Sequence, residues 1–69
     1  MTASRFSLDQ LAAAAEREVR FRERVYERQV QNNRMSQAKA DEEIALMKAI
    51  AMHLRENAQR DGLVGGVTR

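Results

Sequence analysis

The chain has 69 residues, a mass of 7.9 kDa, no cysteine, no proline, no tryptophan and one histidine. Disulfide frameworks and thiolate metal sites are excluded, and a chain this short leaves little room for an enzyme cleft. Twelve basic and ten acidic residues give a net charge of +2, too balanced to predict a nucleic-acid binder. Apolar residues are 43% of the chain, yet eleven of them are alanine. A chain of this size buries roughly 60% of its unfolded surface and is marginal alone. Without disulfide or metal, self-association is the remaining staple.

Ser7-Leu8-Asp9-Gln10 fits a capping box, with Ser7 at the N-cap and Phe6 and Leu11 at the ends of a hydrophobic staple. The run to about Asn32 is rich in alanine, glutamate, arginine and glutamine, all good helix formers. The first helix is therefore expected over residues 8–32. Asn32-Asn33-Arg34-Met35-Ser36 interrupts it, because asparagine tolerates the left-handed conformation that ends helices. A turn is expected at 33–36. Ser36 then caps a second helix over 37–60, with Asp41, Glu42 and Glu43 near its positive end and Arg55 and Arg60 near its negative end. Gly62 is the expected C′ residue, with Leu63 folding back on Ala58. Residues 1–62 thus form one domain, and 63–69 are expected as a flexible tail.

A connection this short makes the fold all-α, an antiparallel two-helix hairpin. The first stripe is Leu8, Leu11, Ala15, Val19, Tyr26 and Val30, with Arg22 in the seventh place. The second seam is Ala40, Ile44, Met47, Ala51, Leu54 and Ala58, in alternating steps of four and three. Folding at the turn sets Val30 against Ala40, Tyr26 against Ile44, Val19 against Ala51 and Ala15 against Leu54. Large faces small at several of these layers, as interdigitation requires. Tyr26 reads as structural, with Arg22, Asp41 or Glu43 available to its hydroxyl.

A second apolar set remains: Ala14, Phe21 and Val25 on the first helix, Leu46 and Ile50 on the second. Burying such a side chain is worth about 1.5–3 kcal/mol. A homodimer forming a four-helix bundle would cover them through a symmetric interface.

Arg17, Arg20, Arg24 and Arg28 form a basic ridge flanked by Glu16, Glu23 and Glu27. Pairs Arg20–Glu23, Arg24–Glu27 and Glu16–Arg20 have helical pairing distance, so a solvated face laced with weak ion pairs is one reading. The other is a recognition face. Arg20, Arg24 and Arg28 repel one another, arginine is favoured at interface hot spots, and Phe21 offers an apolar anchor. Partner-binding candidates are therefore Arg17, Arg20, Phe21, Arg24 and Arg28. His53 has no second ligand at helical spacing and reads as a surface or interface residue. Met47 is expected to fill the core, while Met52 points off the seam. No catalytic residue, metal ligand or cofactor site is expected. No apolar run is long enough for a membrane span, and no signal peptide is expected, which points to the cytoplasm. Nucleic acid is a weaker partner for the ridge, because the flanking glutamates repel phosphate. Dimeric helical hairpins of the Rop type do bind RNA by shape, so that alternative stays open.

The run Arg17-Glu18-Val19-Arg20-Phe21-Arg22-Glu23-Arg24-Val25-Tyr26-Glu27-Arg28 has a counterpart elsewhere. So have Arg34-Met35-Ser36-Gln37-Ala38-Lys39-Ala40-Asp41, Glu43-Ile44-Ala45, Met47 and Ala49-Ile50-Ala51. Together, across residues 8–56, they resemble a family of small helical proteins of Pseudomonas-type temperate phages and prophages. Relatives commonly have glycine before the arginine-methionine pair, where this chain has Asn33. One branch, of similar length, is the phage quorum-sensing anti-activator. The resemblance implies a protein made early in infection and acting in the host cytoplasm. It implies binding to a host LuxR-type transcription activator, whose DNA binding is blocked. It also implies binding to the type IV pilus assembly ATPase, which suppresses twitching motility and helps exclude further phages. No individual binding residue is carried over from the family.

Overall fold

The computed structural model describes the backbone of residues 5–68 and the side chains of residues 5–60. Two helices pack against each other: α1, Leu8–Gln31, and α2, Gln37–Thr68. No strand occurs among the described residues.

The start of α1 is the expected capping box. The Gln10 amide donates to Ser7 Oγ at 3.0 Å, and the Ser7 amide donates to Gln10 Oε1 at 2.9 Å. Two amides that lack carbonyl partners inside the helix are satisfied by this exchange. Phe6 and Leu11 line one hollow together with Ala13 and Ala14.

The helix ends in a Schellman turn. The Arg34 amide donates to the Gln29 carbonyl at 2.8 Å, and the Asn33 amide to the Val30 carbonyl at 3.1 Å. Asn33 sits between them at φ 60, the left-handed conformation that asparagine tolerates better than most residues. Ser36 then opens α2, its Oγ accepting from the Lys39 amide at 3.1 Å. Asp41 and Glu43 lie past the first turn of α2, which holds no acid. They pair locally instead, Asp41 with Gln37 at 2.9 Å and Glu43 with Lys39 at 3.3 Å.

Two expectations change. First, α2 does not stop near Arg60: its backbone stays helical to Thr68, and Gly62 has no positive φ. With no proline to remove a donor, the hydrogen-bond ladder continues, and glycine adopts helical angles at only about 1 kcal/mol relative to alanine. The expected contact of Leu63 with Ala58 needs the Leu63 side chain, which lies outside the described residues, as does Arg69, the last residue of the expected flexible tail. Second, the core is built from alanine. Ala12, Ala15, Ala40 and Ala51 are its buried hydrophobic members, and no large side chain among the described residues is fully buried. Val19, Tyr26, Val30, Ile44, Met47 and Leu54 are half-buried. Alanine lets two helices approach closely, and the bulkier seam residues then lie over the flanks. Ala12, outside the expected stripe, is the most enclosed of the described residues.

Arg22 holds the seventh place of the first stripe as expected. Its Nε donates to Glu18 at 3.1 Å and its Nη1 to the Glu43 carbonyl at 3.2 Å, with Glu43 Oε1 at 3.6 Å. Its guanidinium also lies over the Tyr26 ring, 6.0 Å from the centroid. One arginine thus ties both helices midway along the hairpin.

Candidate functional site

The ridge begins with helix periodicity. Steps of three, four and four carry Arg17, Arg20, Arg24 and Arg28 along one side of α1 over about 16 Å, at about 1.5 Å per residue. The seam lies on the opposite side, so all four side chains are exposed. Phe21 is beside them and 48% exposed, with the Arg24 guanidinium 6.0 Å from its ring centroid. That is within cation–π range.

The acids flanking the ridge do not neutralise it. Glu16 is taken across the hairpin by Arg55, whose Nε and Nη2 each donate to it at 3.0 Å. Glu23 is taken by Lys48 at 3.3 Å. The expected pairs Arg20–Glu23, Arg24–Glu27 and Glu16–Arg20 are absent from the described residues. An i,i+4 pair competes for each carboxylate with a cation on the facing helix. The facing cation wins where it can pair in a forked geometry or beside packed apolar surface. Arg17, Arg20, Arg24 and Arg28 therefore form no ion pair among the described residues.

Arg55 also donates to Asp9 at 2.6 Å, making a three-residue cluster at the end of the hairpin remote from the turn. The two bonds from Arg55 hold the Glu16 carboxyl below the ordinary glutamate value of 4.5, against an opposing effect of partial burial, with a smaller pull from the charges of Arg55 and Arg20. The same bonds, with the one to Asp9, raise the Arg55 guanidinium further above its ordinary range. Arg22 is likewise raised, chiefly by its bond to Glu18.

The apolar set predicted for a dimer lies on the other flank. Glu16–Arg55 and Glu23–Lys48 mark one side of the hairpin; Arg22–Glu43 marks the opposite side. Val25 follows Arg22 by three residues, and Leu46 and Ile50 follow Glu43 by three and seven, so helical spacing carries them to the Arg22–Glu43 side. Leu46 is 53% exposed and Ile50 42%; Ala14 is exposed and Val25 half-buried. Phe21 stands between this apolar flank and the ridge.

A shallow groove on the first side is lined by Val19, Ala51 and Met52 between Arg20 and Arg55. Met52 is off the seam and exposed, as its position predicts. His53 is exposed, and its carbonyl accepts from Asn57 Nδ2 at 2.8 Å. Among the described residues no cluster of histidine, cysteine or acids could hold a metal ion. No helix among them is long and apolar enough to cross a membrane.

Sequence inspection found the ridge but missed Lys48 and Arg55 as the groups that draw its acids away. The signal was present: the register that faces Val19 with Ala51 also faces Glu23 with Lys48 and Glu16 with Arg55. It had to be applied to charges as well as to apolar residues.

The chain is thus a two-helix antiparallel hairpin that presents an arginine ridge on one helix and an apolar flank beside it. No protein family, curated protein or solved structure matches it.

Proposed function

We propose that this protein is a non-enzymatic phage inhibitor that acts in the host cytoplasm by binding host proteins. Its first target is a LuxR-type quorum-sensing activator, whose DNA binding it blocks. A second target is the type IV pilus assembly ATPase, whose inhibition excludes further phages. The targets come from the family resemblance of residues 8–56. One observation carries the mode of action: Arg17, Arg20, Arg24 and Arg28 are exposed beside Phe21 on one helix, without ion pairs among the described residues. Such an inhibitor needs a firm surface and no reaction centre. Arginines with an aromatic neighbour are the residue types that dominate protein interfaces.

The working unit in this reading is a homodimer. A core of four alanines removes little apolar surface from water, while Phe21, Leu46 and Ile50 stay about half exposed. A four-helix bundle joining two hairpins through Ala14, Phe21, Val25, Leu46 and Ile50 covers that surface. Two ridges on one dimer suit a dimeric activator, because the second contact is made at high effective concentration.

A gel-shift assay tests the function. Activator bound to its promoter DNA is released by micromolar protein if the reading holds. Undisturbed DNA occupancy, together with no activator recovered on the tagged protein from host lysate, rejects it. The Rop-like alternative, a nucleic-acid-binding regulator, draws on the same ridge. It requires direct binding to RNA or DNA that falls by decades between low and moderate salt, and a blank gel shift at low salt ends it.

A further inference from the structure

Resting on that reading, we infer that the ridge takes an acidic helical segment of the partner, with carboxylates spaced to meet Arg17, Arg20, Arg24 and Arg28. Three observations converge. The four guanidiniums are exposed and without ion pairs among the described residues, so each keeps its donors for an incoming acceptor. Glu16 and Glu23, two of the three acids flanking the ridge, are held across the hairpin by Arg55 and Lys48. Arg24 lies over Phe21, which limits its freedom before any partner arrives.

The arrangement is costly for the free protein. Arg20, Arg24 and Arg28 are like charges one turn apart, a destabilising pattern on a helix. A partner carboxylate row removes that repulsion and replaces it with forked arginine–carboxylate bonds. The ridge spans about 16 Å, which equals three turns of a partner helix lying along it. Acids at i, i+3, i+7 and i+11 on such a helix, running parallel to α1, repeat the ridge's own spacing.

Carboxylates suit the ridge better than a phosphate backbone. The row is one residue wide, continued by Gln10 and Ala13 towards the start of α1 and flanked by the acid Glu27, which is exposed and has no ion pair among the described residues. A nucleic-acid duplex would bring its charge against Glu27 as well. A helix with a single acidic edge brings one row of carboxylates, which can lie on the side of the ridge away from Glu27.

The test uses the full chain and a capped, fluorescently labelled 22-residue helical peptide. The peptide carries glutamates at i, i+3, i+7 and i+11. Anisotropy titration should show binding that Arg24→Glu plus Arg28→Glu weakens by about tenfold or more, with Arg20→Lys, Arg24→Lys and Arg28→Lys together giving an intermediate loss. Circular dichroism checks the fold, and Arg24→Gln plus Arg28→Gln replaces the reversed pair if that pair fails to fold. The inference is overturned if the peptide binds no better than its glutamine-for-glutamate counterpart. It is also overturned if the arginine variants bind it equally, or if a 20-base-pair DNA duplex binds more tightly with the same arginine dependence. Activator capture is scored separately. Equal capture by wild type and the reversed variant sinks the ridge and spares the proposed function. Ridge-dependent peptide binding with no activator captured does the reverse.

Discussion

Arg55 grips Glu16 from the facing helix through two bonds of 3.0 Å each while its remaining Nη1 reaches Asp9 at 2.6 Å. One guanidinium therefore ties the first two turns of α1 and the start of its third to the second half of α2. It also takes from the ridge an acid that sits one turn from Arg20.

Arg55→Met should lower the thermal midpoint more than Arg60→Met does. Arg60 has no cross-hairpin bond among the described residues, its Nη1 meeting Asn57 on its own helix at 3.2 Å. Arg55→Lys should recover only part of the loss, since an ammonium cannot fork onto Glu16. Circular dichroism melts at one protein concentration read this out.

Acid should weaken the same contact. Glu16 has a folded pKa depressed below 4.5. The folded state therefore binds a proton less readily than the unfolded chain. Its contribution to stability is complete above the unfolded value and is lost as pH falls through the folded one. Stability should fall from about pH 5 downwards, and Glu16→Gln should flatten part of that fall. Carboxyl chemical shifts followed by NMR titration assign the proton to Glu16.

The turn predicts a residue-specific pattern at Asn33. A residue with a Cβ in the left-handed region costs roughly 1–2 kcal/mol, less for asparagine. Asn33→Gly should be neutral or slightly stabilising, while Asn33→Val should destabilise by about 1–2 kcal/mol. Denaturant titration measures both.

The alanine core predicts intolerance of bulk. Ala12→Leu and Ala51→Leu should each cost roughly 1–3 kcal/mol, because no space exists where the helices approach. The exposed Ala45→Leu, off the seam, serves as a control that changes stability little.

If two hairpins share their apolar flanks, the thermal midpoint rises with protein concentration. Light scattering should give twice 7.9 kDa. Leu46→Asp plus Ile50→Asp should give the single mass and remove the concentration dependence. A compact single copy of the wild type at high concentration would reject the dimer.

Ser7, Gln10, Asn33 and Ser36 act on backbone groups at most five residues away, so the caps, the turn and the antiparallel sense were legible in the sequence. The ridge was legible too, because residues three and four apart must share a helix face. Three things waited on tertiary structure. Ala12 rather than Leu11 is buried because the closest approach of two helices selects the smallest side chains. Glu16 and Glu23 choose Arg55 and Lys48 over the arginines of their own helix because ion pairing depends on distance across the hairpin; the register names these partners, but only the packed helices decide between them and the local ones. The backbone of α2 continues past Gly62 because a glycine permits a stop without requiring one. Local chemistry decides where helices begin and turn; the gap between two helices decides which side chains are enclosed, which charges are spent and which stay available.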